Sequence, residues 1–264
     1  MKLPNLLATP KGRLTAFFCL YMTEGIPIGF AATAIARKMR EQGATTAEVG
    51  LFVGALYLPW SWKFLIGPIV DTLSVNRWGW RRTWIIGAQI GMCLTLLAAL
   101  PVDFANEVKL FTLIITIHNI FGATQDVAID ALAVGTLDEK ERGFANGLMF
   151  AGAYTGQAIG GAGVLYLTQL VDFNMTFFLV AACIFSVTLF VALPMKEPRH
   201  VKATNSGRHP AAQIGFELTT YVVQVGKAFF GSKPAFFGLV FALLPCGAYA
   251  LSLALQSNLC VELG

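Results

Sequence analysis

The sequence predicts an all-α polytopic membrane protein. Hydrophobic residues make up 56% of the 264 residues and charged residues only 13%, about half the roughly 25% usual in soluble domains. Seven stretches are apolar over about the 20 residues that a helix needs to cross a bilayer. Their connections alternate between basic and poorly basic, the pattern of a chain threaded back and forth. The net charge of +4 therefore reads as membrane topology, and no nucleic-acid partner is expected.

The first predicted span covers 14–35. Lys2, Lys11 and Arg13 flank it, and no small-residue cleavage site follows, so we expect a retained helix and no cleavable signal peptide. Further spans are predicted over 49–70, 83–100, 110–134, 144–168 and 176–193. A seventh, 235–255, follows a long polar connection. The N-terminal tail and the connections after spans two, four and six hold fourteen Lys and Arg residues, against four on the other side. That asymmetry predicts a cytoplasmic N-terminus. The exception is Arg37, Lys38 and Arg40 after the first span.

The expected division is a six-helix unit over 1–198, a linker over 199–233 and a further helix from 234 to 264. Within the linker, Ile214, Leu218, Tyr221, Val222 and Val225 fall on one helical face. Gln213, Glu217, Thr220, Gln224 and Lys227 fall on the other. An amphipathic helix lying along the cytoplasmic interface is one reading and a plain linker helix the other. Six spans, a basic linker and one more span have the layout of the first half of a larger transporter with the start of its second half. We expect five further helices beyond this chain, making it a fragment or a truncated reading frame. Cys19, Cys93, Cys183, Cys246 and Cys260 show no paired spacing and read as small apolar fillers, with no metal or cofactor.

Ionisable groups inside the spans carry the functional signal, because charge at bilayer depth is costly. Asp126 and Asp130 lie four residues apart in the fourth span, Lys63 in the second and Glu24 in the first. Lys63 is seven residues from the end of its span at Val70 and Asp126 eight from the end of its own at Val134. At about 1.5 Å per residue they share a depth. A Lys63–Asp126 pair follows, which by itself is also what simple charge compensation would give. Glu24, Asp126 and Asp130 are the proton-coupling candidates, and where Asp126 stays paired with Lys63, Glu24 or Asp130 is the carboxyl left to exchange a proton. Gly25 and Pro27 beside Glu24 are expected to loosen the helix and expose carbonyls. Tyr21 is one turn before Glu24. His118, Gln125 and Asp126 share a face of the fourth helix with Gly122. With Tyr21 and Asn119, His118 and Gln125 form the candidate substrate-cavity set. His118 equally suits a satisfied packing residue.

Trp60 and Trp62 could face cavity or lipid. Gly147, Gly152, Gly156, Gly160 and Gly163 stripe the fifth span, and Gly87 and Gly91 mark the third. Small residues at this spacing let helices approach closely. No phosphate-binding loop and no nucleophile–base pattern is readable, so an enzyme is not expected.

Two stretches resemble a known family. Gly67-Pro68-Ile69-Val70-Asp71, then Gly79-Trp80-Arg81-Arg82, is similar to the loop signature of the major facilitator superfamily. Here the loop is longer and Trp80 replaces the first arginine. Such a carboxylate can latch basic groups in one conformation and release them in another. This gives Gly67, Asp71, Arg81, Arg82 and Arg142 as a candidate cytoplasmic gate. The run Ala123-Thr124-Gln125-Asp126-Val127-Ala128-Ile129-Asp130-Ala131, with Glu141-Arg142-Gly143, resembles the AmpG-like branch, as does Trp62-Lys63-Phe64-Leu65 with Pro68 and Asp71. The branch includes permeases for anhydro-muropeptides, acetyl-CoA and siderophores. The resemblance implies a multi-pass protein of the bacterial inner membrane, importing a small organic solute with protons by alternating access. Muropeptide permeases continue the core with Tyr-Arg. Leu132-Ala133 stand here, closer to the siderophore group. The expectation of a different class is a truncated, non-transporting helical scaffold.

Overall fold

A computed structural model describes residues 5–72, 79–103, 106–197 and 210–237. All but the first three residues of the seventh predicted span lie outside the described residues. No strand occurs among the described residues.

Helix α1 runs unbroken over Pro10–Glu41. Thr9 caps its start, accepting from the Gly12 amide, and Pro10 sits in the first turn where no donor is missed. Its far end closes in a glycine-terminated turn: the Ala44 amide donates to Met39 O (3.0 Å) across Gly43, whose φ is +98°. The expected loosening at Gly25 and Pro27 does not break the rod. Pro27 removes one backbone donor, and a π-helical turn at Phe30–Ile35 follows.

The second predicted span is two helices, α2 (Thr46–Ser61) and α3 (Lys63–Thr72), bent by 40° at Trp62. The Trp62 amide donates to Pro59 O, a tight three-residue turn that interrupts the α-ladder. Pro59 and Pro68 each remove a helical donor on either side of the bend. The bend makes Lys63 the first residue of α3.

Helices α4 (Trp80–Ala99) and α5 (Val108–Thr136) follow. Helix α6 comprises Glu139–Ala158, a π-turn at Ile159–Gly163 and Val164–Leu167. Helix α7 is Phe173–Ala192, its last turn π-helical from Thr188. Helices α1, α4 and α7 are long and apolar enough to cross a membrane, as is the bent α2–α3 pair counted as one span. Helix α5 has 29 residues, about 43 Å of rise.

The closest packing is between α1 and α6. A Cβ on Gly25 would lie 1.9 Å from Ala153 O, one on Gly156 2.5 Å from Met22 O, and one on Gly160 1.9 Å from Ile26 O. Gly25 is therefore a packing position. Among the described residues, Gly147 and Gly87 face open space, Gly163 meets only ordinary contact, and Gly91 faces the Phe121 ring. The expected stripe thus narrows to Gly152, Gly156 and Gly160.

Two apolar layers fill the bundle. One holds Phe30, Phe52, Phe111 and Phe177, with the Phe30 and Phe177 ring centroids 4.9 Å apart. The other holds Phe17, Leu20, Val70, Ile85, Leu132 and Met149. Helix α8 (Pro210–Phe230) packs beside α3. The groove between them is lined by Pro68, Asp71, Phe216, Thr220, Tyr221 and Gln224. Thr220 and Gln224 thus face α3 alongside Tyr221, so the docked face is mixed.

Candidate functional site

Among the described residues, a cavity of about 300 Å³ is lined by Tyr21 and Glu24 of α1, Trp60 of α2, Lys63 of α3, and Asp126 and Asp130 of α5. Asn146, Phe150, Ala153, Tyr154 and Gln157 of α6 complete it. Lys63 Nζ lies 2.7 Å from Asp126 Oδ2. Asp126 is buried, with 5% of its side chain exposed, whereas Lys63 keeps 45%. The ammonium thus reaches inward from the bend while its stem lines the cavity. Tyr21 donates its hydroxyl to Asp130 Oδ1. The Glu24 carboxyl faces Asp126, with Lys63 and Asp130 also near. Its Oε2 is buried with no hydrogen-bond partner among the described residues, as is Trp60 Nε1. One ammonium therefore serves three carboxyl groups on two helices. Trp62, by contrast, is exposed on the outer surface.

His118, Asn119 and Gln125 are buried but do not line this cavity. His118 Nδ1 lies 3.1 Å from Met92 O and 3.0 Å from Thr95 Oγ1, both on α4. Asn119 donates to its own helix at Ile115 O. Gln125 turns toward α1, donating to Thr23 Oγ1 at 3.2 Å. The Thr23 hydroxyl also accepts from Gln89 of α4 (3.2 Å), and Gln89 Oε1 accepts from Thr188 of α7 (2.7 Å). Of this buried chain only Gln125 belongs to the sequence-derived set, and Thr23, Gln89 and Thr188 do not. Uncharged Thr and Gln in apolar helices give no signal until their partners are known.

Charges also gather at the arginine-rich end. Arg81 pairs with Asp71 at 2.7 Å. Arg82 turns to the last carbonyls of α7, donating Nε to Ala192 O at 3.1 Å and Nη2 to Leu193 O. Glu197 returns the arrangement, accepting from the Arg81 and Arg82 amides at 2.8 and 3.3 Å. Each side chain thus meets the helix end of opposite partial charge. Gly79, with φ +96°, makes the turn into α4. Arg142 donates to Val134 O (3.3 Å), and Gly67 borders open space among the described residues. Arg13 joins α1 to α6 through Glu141 at 2.9 Å. Neither Glu197 nor Glu141 is among the sequence-derived gate residues, although Glu141 falls in the run that resembles the AmpG-like branch.

At the opposite end, a cavity of about 750 Å³ is lined by Arg37, Lys38, Glu41, Tyr166, Asp172 and Phe173, among others. Glu41 accepts from Arg37 at 2.9 Å and lies 3.6 Å from Lys38. Arg40 donates to Ala44 O. The basic exception after α1 is thus largely compensated locally, and the smaller acidic cavity is the candidate site. Among the described residues no group of three or more His, Cys, Asp or Glu is placed to hold a metal ion.

Comparison with known proteins agrees with this architecture. The sequence matches the family model described as Major Facilitator Superfamily over residues 14–259. It is 28% identical over 184 residues to "Putative transporter AmpG 4" of Rickettsia conorii, covering 68% of this chain and 44% of the relative. The protein of the same name from Rickettsia felis is 30% identical over 196 residues, covering 72% and 47%. An uncharacterized protein of Haemophilus influenzae is 25% identical over 224 residues, covering 78% and 52%. The chain spans about half the length of these relatives. Apolar helices of spanning length, the loop at Asp71 and Arg81, and a family match over most of the chain lead to one assignment: this bacterial-type, multi-pass membrane chain belongs to the major facilitator superfamily, with AmpG-like relatives.

Proposed function

We propose that the chain forms the N-terminal, six-span half of a proton-coupled secondary transporter that imports a small organic solute by alternating access. The observation that carries this reading is the convergence of Lys63, Asp126, Glu24 and Asp130 on one cavity. A single ammonium can balance one carboxylate at a time. Binding or release of a proton at a second carboxyl changes which partner best holds Lys63, and so changes the relative positions of α1, α3 and α5. The Asp71–Arg81 pair at the arginine-rich end supplies a contact that such a movement can make and break. The positive-inside asymmetry supports a cytoplasmic N-terminus in the inner membrane, with α5 and α6 also spanning and lipid and protons as partners.

Uptake into membrane vesicles carrying this chain together with the second half of the transporter, with and without an imposed proton gradient, tests this. Labelled anhydro-muropeptide and a ferric siderophore serve as the two probes. Gradient-dependent uptake that disappears in Asp126→Asn is expected. Uptake indifferent to both gradient and substitution would refute proton coupling at this site. Lack of any gradient-driven uptake would point instead to a helical scaffold.

A further inference from the structure

We propose that Gln89 is a positioning residue for the acidic cavity: through Thr23 it fixes the rotation of α1 and α5 that turns Glu24 and Asp126 toward Lys63. The inference rests on the proton-exchange reading of that cavity and extends it to a helix that contributes no lining residue.

The geometry is specific. Thr23 and Gln125 immediately precede Glu24 and Asp126 in the chain. Adjacent residues on an α-helix point about 100° apart. Holding Thr23 and Gln125 against one another therefore sets the direction of their neighbours toward the cavity. The Thr23 hydroxyl has one proton, and its shortest acceptor is Leu20 O at 2.7 Å. Its lone pairs then receive Gln89 Nε2 and Gln125 Nε2, each at 3.2 Å. Gln89 is oriented in turn by Thr188, whose hydroxyl donates to Gln89 Oε1 at 2.7 Å. Thr23, Gln89 and Gln125 are fully buried and Thr188 nearly so. Removing the Gln89 amide takes one donor from Thr23 and cuts its link to α4 and α7. A buried polar chain that loses a member rearranges its remaining partners. Here the remaining partners are on the two helices that carry the carboxyl groups.

The groups that would register a rotation face the cavity from every wall. They are Lys63 from α3, Asp126 and Asp130 from α5, and Glu24 and Tyr21 from α1. Tyr154, Asn146 and Gln157 face it from α6. The Trp60 ring centroid lies 6.0 Å from Lys63 Nζ, so the ring senses a change in the charge around that ammonium.

The test labels the chain with fluorotryptophan in lipid nanodiscs and follows the Trp60 fluorine signal, assigned with Trp60→Phe, against pH. The parent chain is expected to titrate. Gln89→Leu is expected to displace the midpoint by about half a pH unit or more, while Thr23→Ser, which keeps the hydroxyl, retains the parental midpoint. Thr188→Val removes only the outer anchor and should displace it in the same direction, which keeps the idea testable if Gln89→Leu does not fold. Folded variants with lowered thermal stability but an unchanged midpoint would assign Gln89 a purely structural role and overturn the proposal. A parent chain whose Trp60 signal does not titrate would instead overturn the proton-exchange reading beneath it.

Discussion

Alanine substitutions along the α6 glycine stripe should have opposite signs at positions that look alike in the sequence. At Gly160 the added Cβ would sit 1.9 Å from the Ile26 carbonyl oxygen. Side-chain carbons do not approach a backbone oxygen closer than about 3 Å, so α1 and α6 must part locally by about 1 Å. The obstacle is backbone, and no rotamer change relieves it. Overpacking of this kind costs about 1–3 kcal/mol, and loss of neighbouring close contacts along the seam adds to it. Alanine's better helix propensity offsets at most about 1 kcal/mol. The net expectation for Gly160→Ala is a loss of about 1–3 kcal/mol. At Gly147 nothing among the described residues lies within 4 Å of the added methyl, so only the propensity gain of about 0.5–1 kcal/mol remains. Reversible unfolding of both variants in detergent, followed by far-ultraviolet circular dichroism, reads the difference directly. Gly160→Ala as stable as the parent chain, or Gly147→Ala the more damaging of the two, would refute the seam as the reason for these glycines.

Three further outcomes are expected. Asp126→Asn should destabilise the chain by about 1–3 kcal/mol, less than the roughly 3–5 kcal/mol of a fully buried broken pair because Lys63 is half-exposed; Lys63→Met with Asp126→Asn should recover that stability without gradient-driven uptake, and a double variant no more stable than the single one argues against the pair. Glu197→Gln should weaken the cap on α4, and Arg82→Ala should free the α7 carbonyls, each lowering stability by about 1–2 kcal/mol; additive effects in the double variant would show that the two caps act separately. Tyr21→Phe removes the donor to Asp130 while keeping the ring, and should alter the pH dependence of uptake with little change in unfolding temperature; an unaltered pH profile would exclude Asp130 from proton exchange.

The contrast between sequence and structure is clearest on α5. Counting residues from the span end places Asp126 level with Lys63, and the two groups lie 2.7 Å apart. The same count places His118 and Gln125 on a shared face with Asp126. Yet His118 meets Met92, Gln125 meets Thr23, and only Asp126 and Asp130 border the cavity. A helical face spans a wide arc, and several neighbouring helices can occupy it. The sequence also leaves Trp60 and Trp62 equivalent, until the bend at Trp62 puts one in the cavity wall and the other outside.

By itself, then, the sequence determined what depends on one dimension. Composition and apolar length specify a helical membrane chain, small residues four apart mark candidate seams, and a constant rise per residue specifies depth. The tertiary structure decided everything that depends on rotation about the helix axes and on partners distant in the chain. That includes the Tyr21–Asp130 contact, the Thr23–Gln89–Thr188 chain, the exchange of caps between Arg82 and Glu197, and which three glycines of the predicted stripe meet α1. Depth is fixed by local geometry that each residue carries with it, whereas azimuth is settled only when all the helices pack together.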